Sequence, residues 1–166
     1  MATVTLKGTP VQTIGELPAI GSKLPGFSLT AGDLSDKTAA DFAGKRLVLN
    51  IFPSIDTGTC ASSVRRFNSE MSKLGDDVIV LCISRDLPFA QGRFCAAEGL
   101  ENVVSLSSMR DDSFGKAFGN TFVSGPLTGI LSRSVVIADE NGTVKYTQQV
   151  EETTVEPDYV KALAAL

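Results

Sequence analysis

The chain has no histidine and no tryptophan among its 166 residues, and only three cysteines. Without an imidazole it has no route to Ser-His-Asp or Cys-His hydrolysis, His-ligated zinc or non-haem iron, or His-ligated haem. No metal or cofactor is expected. No apolar run approaches the roughly 20 residues of a membrane-spanning helix. Positive charge is sparse too: 15 Lys+Arg against 19 Asp+Glu give −4, and the only basic doublets are Lys45-Arg46 and Arg65-Arg66. A phosphate-backbone binder needs a concentrated positive footprint, so neither nucleic acid nor membrane is expected as a partner. The amino terminus, MATVTLKGTP, lacks a long apolar stretch and alternates at once. It reads as mature protein rather than a signal peptide, which makes the cytoplasm the default compartment. Cys60, Cys82 and Cys95 cannot all pair within one chain, and a reducing compartment disfavours a structural disulfide framework.

What is present describes one α/β domain. With 43% hydrophobic and 20% charged residues, the chain has the composition of a globular protein, and its length suits a single core. Thr3, Thr5 and Lys7 alternate with Val4 and Leu6, Gly8-Thr9-Pro10 breaks the run, and Val11-Gln12-Thr13-Ile14 follows. This predicts an amino-terminal hairpin over 1–16 that extends a domain over 17–166. Segments 47–52 and 78–83 are nearly continuous in apolar residues, as central strands covered on both faces are. Between them Val64, Phe67, Met71 and Leu74 recur at helical spacing, with Cys60 one turn upstream on the same face. The spacing predicts a helix from about 60 to 74 and hence a βαβ unit. Further expected elements are a brief strand at 27–30, a helical turn near 41–44, and a helix over 88–98 with Gly99 just past its end. A strand at 103–106, a helix over 112–118 and a terminal helix over 158–166 complete the pattern. Strands at 134–138 and 144–150 flank Asp139-Glu140-Asn141-Gly142, a hairpin turn.

The stretch from Asn50 to Cys60 carries the most chemistry. A buried strand ends at Phe52, Pro53 stiffens the exit, and Cys60 falls in the first turn of the next helix. Sites in open α/β sheets gather beyond the carboxyl ends of the strands. Helix-start N–H groups stabilise a thiolate, and the helix field adds roughly 0.3–1 kcal/mol for an anion. With no histidine as base, such N–H groups and an arginine are the main route left to a reactive thiol. The plainer reading makes Cys60 a small buried hydrophobe. Thr57 either meets the sulfur or a ligand with its hydroxyl, or serves as a turn or N-cap residue. Arg133, just before strand 134–138, faces either a site or solvent at a sheet edge. Cys82, inside a central strand, reads as core. Cys60 to Arg66 matches the Cys-x5-Arg spacing of cysteine phosphatases, but the intervening residues lack glycine and continue the helical pattern. Cys60 and Cys95 form no Cys-x-x-Cys, which disfavours a thioredoxin-type reductase.

Pro53-Ser54-Ile55-Asp56-Thr57 with Cys60, Phe89-Ala90-Gln91, Arg93-Phe94-Cys95, and Gly125-Pro126-Leu127 before Arg133 closely resemble the bacterial thiol peroxidases, which are atypical two-cysteine peroxiredoxins. The similarity runs along essentially the whole chain. It implies a thioredoxin-like fold, a central mixed β-sheet flanked by helices, with the added hairpin. It also implies that Cys60 attacks the peroxide and that Cys95 resolves the resulting sulfenic acid as an intrachain disulfide, which thioredoxin reduces. By the same resemblance Pro53 shields the sulfur, Thr57 hydrogen-bonds toward peroxide and thiolate, and Arg133 stabilises thiolate and transition-state charge. Alkyl and lipid hydroperoxides are the implied preferred substrates, and a homodimer is the implied assembly. Thr59 departs from the apolar residue common at that position in relatives. Bridging Cys60 and Cys95 would close a loop of roughly 35 residues, constraining the unfolded chain by about 4 kcal/mol on the chain-entropy model. With both helices intact the sulfurs are not expected within bonding distance, so local unwinding is expected, eased by Gly92 and Gly99. A non-enzymatic alternative is a peroxide-responsive sensor or binding module that uses the same disulfide switch.

Overall fold

Nearly continuous apolar runs become the centre of the sheet because both faces of these strands are covered. A computed structural model describes residues 1–166. Nine strands run β1 (Thr3–Leu6), β2 (Thr9–Gln12), β3 (Ser28–Thr30), β4 (Asp36–Thr38), β5 (Arg46–Ile51), β6 (Val78–Ser84), β7 (Val104–Ser107), β8 (Ser134–Ala138) and β9 (Val144–Gln149). Four helices are interspersed: α1 (Gly58–Glu70), α2 (Pro88–Glu98), α3 (Ser113–Phe118) and α4 (Tyr159–Ala164). β1 and β2 form a separate hairpin, and the other seven make one sheet in the order β4-β3-β7-β6-β5-β8-β9. β5 pairs in parallel with β6, and β6 with β7, while β8 runs antiparallel to β5 and β9 to β8. This is the mixed sheet of a thioredoxin-like fold.

Alternation along the central strands divides the core in two. Leu47, Leu49 and Ile51 of β5 face a layer that includes Phe114 and Phe118 of α3, whose rings stack at 4.3 Å. Val48 and Phe52 face the opposite layer, with Cys60, Val64 and Phe67 of α1, Phe94 of α2 and Tyr159 of α4. A third, smaller cluster joins Val4 and Val11 of the hairpin to Phe122. The hairpin is further held by main-chain bonds to the segment after β9: Thr5 N donates to Glu151 O, and Thr153 N to Thr5 O.

Three local details differ from the sequence pattern. The hairpin reverses at Lys7-Gly8, both with positive φ (51° and 80°), as a two-residue hairpin turn requires. Thr9 and Pro10 therefore belong to β2, where Pro10 pairs with Thr5 on a two-stranded edge that tolerates a missing N–H. The first major helix starts at Gly58, two residues before Cys60, and ends at Glu70, with a 3₁₀ turn over Met71–Lys73. The strand β4 escaped notice because Asp36-Lys37-Thr38 is polar and sits at the sheet edge.

Gly119 ends α3 in the left-handed region (φ 67°), and a Cβ there would collide with the backbone of Glu16. Gly142, in the β8–β9 turn, has a similar φ of 77° but open space around it. Gly142→Ala is therefore expected to cost only the left-handed strain, about 1–2 kcal/mol. Gly119→Ala should cost clearly more, because the backbone must also shift. Urea unfolding of the two variants side by side checks the difference.

Candidate active site

The site forms where β5 leaves the sheet. Pro53 is buried at the exit, and the next residues turn tightly: Thr57 N and Thr57 Oγ1 both donate to Ser54 O, at 3.2 and 3.0 Å. Thr57 then adopts extended backbone (φ −102°, ψ 145°) and α1 begins. Its hydroxyl thus serves the turn rather than capping the helix or meeting the Cys60 sulfur. Cys60 is the third residue of α1, among N–H groups that lack partners within the helix. Its side chain has no exposed surface.

Arg133 is not a solvated edge residue: only 3% of it is exposed. Its Nη1 lies 3.3 Å from Cys60 Sγ, and its Nε donates to Thr153 O at 3.0 Å. No carboxylate pairs with it. Pro53, Thr57 and Arg133 border one cavity of about 250 Å³, whose lining is completed on the apolar side by Leu6, Leu127 and Ile130. Thr59 also lines it and donates through Oγ1 to Thr154 O at 3.1 Å, a use that explains a polar residue at this position.

No cysteine lines this cavity: Arg133, which does, connects it to Cys60, and the other two cysteines lie elsewhere. Cys95 is half-buried on α2, with Sγ 3.5 Å from Ser105 Oγ on β7, and all three cysteines are free thiols. Cys82 is buried in β6, where burial pushes its thiol up to about 12, against the opposing effect of the Asn50 amide at 3.8 Å. It is a core residue and a poor nucleophile. Contacts nonetheless tie the Cys95 helix to the Cys60 segment. Asp86, just before α2, accepts from Ser54 Oγ (2.8 Å), Ile55 N (2.7 Å) and Ser84 Oγ (2.6 Å). Arg93 pairs with Asp56 at 3.0 Å, and Arg65 of α1 holds Glu98 through two bonds of 2.7 and 2.8 Å. Asp86, Thr153, Leu6 and Ile130 are not singled out as site residues by the sequence, and Leu127 enters only as part of the Gly125-Pro126-Leu127 motif. Asp86 resembles any helix-start acid, and Thr153 contributes only a carbonyl, which every residue has.

A buried thiol at a helix start, in contact with a buried guanidinium on a thioredoxin-like sheet, defines a cysteine-based redox protein. The comparisons make this specific. The Redoxin family model matches residues 19–163. The chain is 51% identical over 166 residues to the thiol peroxidase of Mycobacterium tuberculosis, covering 100% of this chain and 99% of that one. It is 52% identical to that of Corynebacterium glutamicum, with the same coverage. The crystal structure of a peroxiredoxin-like protein from Aquifex aeolicus superposes with a TM-score of 0.91 at 35% identity, over 100% of this chain and 98% of that one. The chain belongs to the Redoxin family and, within it, to the thiol peroxidases, enzymes of the peroxiredoxin type.

Folding binds the Cys82 proton more tightly, since its value rises from an ordinary 9.0 to about 12. Its stabilising contribution is therefore complete below pH 9.0 and is lost as pH climbs toward about 12. Cys82→Ala should flatten the alkaline loss of stability relative to the parent. Urea midpoints measured on both sides of this window check it, and equal slopes would remove Cys82 as the source.

Proposed function

We propose that this peroxidase reduces organic hydroperoxides, alkyl or lipid, and hydrogen peroxide through Cys60, with Cys95 as resolving thiol and thioredoxin as reductant. The observation that carries this reading is the Arg133–Cys60 contact of 3.3 Å inside the core. A buried cation without a carboxylate is costly, and a Cys60 thiolate supplies the missing counter-charge. The thiolate sulfur attacks the terminal peroxide oxygen: an S–O bond forms, the O–O bond breaks, and the electron pair leaves on the alkoxide oxygen. Sulfur is oxidised to sulfenic acid, and the alkoxide takes a proton from water to leave as alcohol (or as water from hydrogen peroxide). Arg133 N–H groups face the developing charge, Thr57 stands at the cavity to orient the peroxide, and Pro53 shields the sulfur.

Resolution follows by attack of Cys95 sulfur on Cys60 sulfur. The S–S bond forms, and the departing hydroxide combines with the Cys95 proton as water. Thioredoxin then returns both thiols by dithiol–disulfide exchange. In the reduced enzyme Cys60 is held by Arg133 and Cys95 rests against Ser105, so the local unwinding expected from the sequence must release the Asp56–Arg93 and Arg65–Glu98 ties. The apolar rim of Leu6, Leu127 and Ile130 supports organic hydroperoxides as preferred substrates, because an alkyl tail gains burial there. The family resemblance supports a homodimer, a cytoplasmic setting, and a hairpin over 1–16 that extends the domain at 17–166. No helix is long and apolar enough to cross a membrane.

Stopped-flow oxidation with cumene hydroperoxide tests the chemistry. Cys60→Ser should abolish peroxide consumption, whereas Cys95→Ser should permit one oxidation and then stall thioredoxin-supported turnover. Full turnover by the Cys95→Ser protein would remove Cys95 from the resolving role. For the rim, Leu127→Ala should lower kcat/KM for cumene hydroperoxide by about tenfold, the worth of a lost apolar contact. Hydrogen peroxide has no tail, so its kcat/KM should change little. An equal loss for both substrates would show that the rim does not select.

A further inference from the structure

Glu152 takes no part in the chemistry above, yet its carboxylate accepts five hydrogen bonds. Thr5 Oγ1 donates at 2.7 Å, Lys7 N at 2.9 Å and Gly8 N at 3.0 Å, all from the amino-terminal hairpin. Thr154 N and Oγ1 donate from its own segment at 3.1 and 2.9 Å. The Thr5 hydroxyl, then the Gly8 and Lys7 N–H groups, hold this carboxyl well below the usual carboxylate range, so these bonds are charge-assisted. Next to it, Thr153 N donates to Thr5 O at 2.8 Å, and Thr153 O receives Arg133 Nε at 3.0 Å. On the far side Thr59 Oγ1 of α1 donates to Thr154 O. Residues 151–154 thus form a strap fastened to the hairpin at one side and to the Cys60 helix at the other, with the guanidinium hung between.

We propose that Glu152 is a positioning residue for the Cys60–Arg133 pair: by clamping the hairpin turn it keeps the Thr153 carbonyl under Arg133 Nε. This rests on the reading of Cys60 as the attacking thiol and Arg133 as its partner. A guanidinium is planar, so one fixed N–H determines where the others lie. With Nε held on Thr153 O, Nη1 falls on the sulfur; without that hold the long side chain regains its rotamers. The hairpin is then a working wall of the site: its Leu6 lines the cavity, and its turn amides hold the carboxylate that steadies the arginine.

The test uses the full-length reduced protein, with cumene hydroperoxide in stopped flow and the ultraviolet absorbance of the Cys60 thiolate at neutral pH. Glu152→Ala is expected to slow Cys60 oxidation about tenfold, the loss of one well-placed hydrogen bond to a charged group, and to weaken the thiolate signal. Glu152→Gln keeps one accepting oxygen but turns its NH2 toward a main-chain N–H donor, so it should recover only part of the rate. In an Arg133→Lys background Glu152→Ala should add little, because its effect passes through the guanidinium. Should Glu152→Ala fail to fold, Thr5→Val removes a single donor and should give a smaller loss in the same direction. The proposal is overturned if these variants lower only the melting temperature, or if the loss recurs in full beside Arg133→Lys. A Cys60→Ser protein that still reacted rapidly with the hydroperoxide would instead sink the underlying reading of the site.

Discussion

A guanidinium buried to 3% exposure, with a sulfur at 3.3 Å and no carboxylate in contact, is the constraint around which the upper end of the sheet is arranged. Burying such a charge is tolerable only when its N–H groups are satisfied and a counter-charge is near. Thr153 O satisfies one N–H, and the proposed thiolate supplies the charge. The interaction also serves the sulfur, for in a chain without histidine no imidazole can hold or move its proton. The arginine and the start of α1 are donors only, so they can stabilise a charge on the sulfur but carry no proton. Both are held by rigid elements: Arg133 immediately precedes β8, which pairs with the strand from which the Cys60 loop departs.

The three cysteines show how environment divides one side-chain chemistry into separate roles. Cys60 is buried but faces a cation. Cys82 is equally buried but faces apolar neighbours and a side-chain amide, and its thiol is pushed up to about 12. Cys95 is half-buried against a serine hydroxyl, on a helix bound to the Cys60 segment through Asp86, Arg93 and Glu98. Those ties favour the arrangement in which Cys60 stays against Arg133. The proposed disulfide needs the opposite, so the exposed Asp56–Arg93 and Arg65–Glu98 pairs suit their position. Surface ion pairs are each worth about 0–1 kcal/mol and can be given up in turn.

Much of the fold was legible because it rests on periodicity. The runs 47–52 and 78–83, the helical recurrence of Val64 and Phe67, and the turn ending at Gly142 all report local backbone preference. What escaped was local too, but weak in signal: a three-residue polar edge strand, and a hairpin reversal shifted by one or two residues because Pro10 looked like a breaker rather than an edge-strand residue. At the site, the thiol at a helix start was readable from Pro53 to Cys60. From its neighbours alone Arg133 was readable only as a charge that had to face something, with solvent as the simpler choice; its place beside the sulfur came from the family resemblance. Glu152 carried no signal at all, being one of several carboxylates in an acidic carboxyl-terminal stretch.

The sequence by itself determined that imidazole chemistry is excluded, that Cys60 begins a helix beyond a buried strand, and that Cys82 lies in the core. These follow from which residue types are present and from short-range spacing. Only the tertiary structure decided that Arg133 turns inward across 73 residues of chain to meet Cys60, and that a hairpin 144 to 147 residues away holds Glu152. The physical reason is that the partners are far apart in sequence and that several groups holding them in place, the Thr153 carbonyl under Arg133 and the Lys7 and Gly8 amides on Glu152, belong to the main chain. Every residue carries such groups, so which of them become partners depends on how the strands and loops close in space.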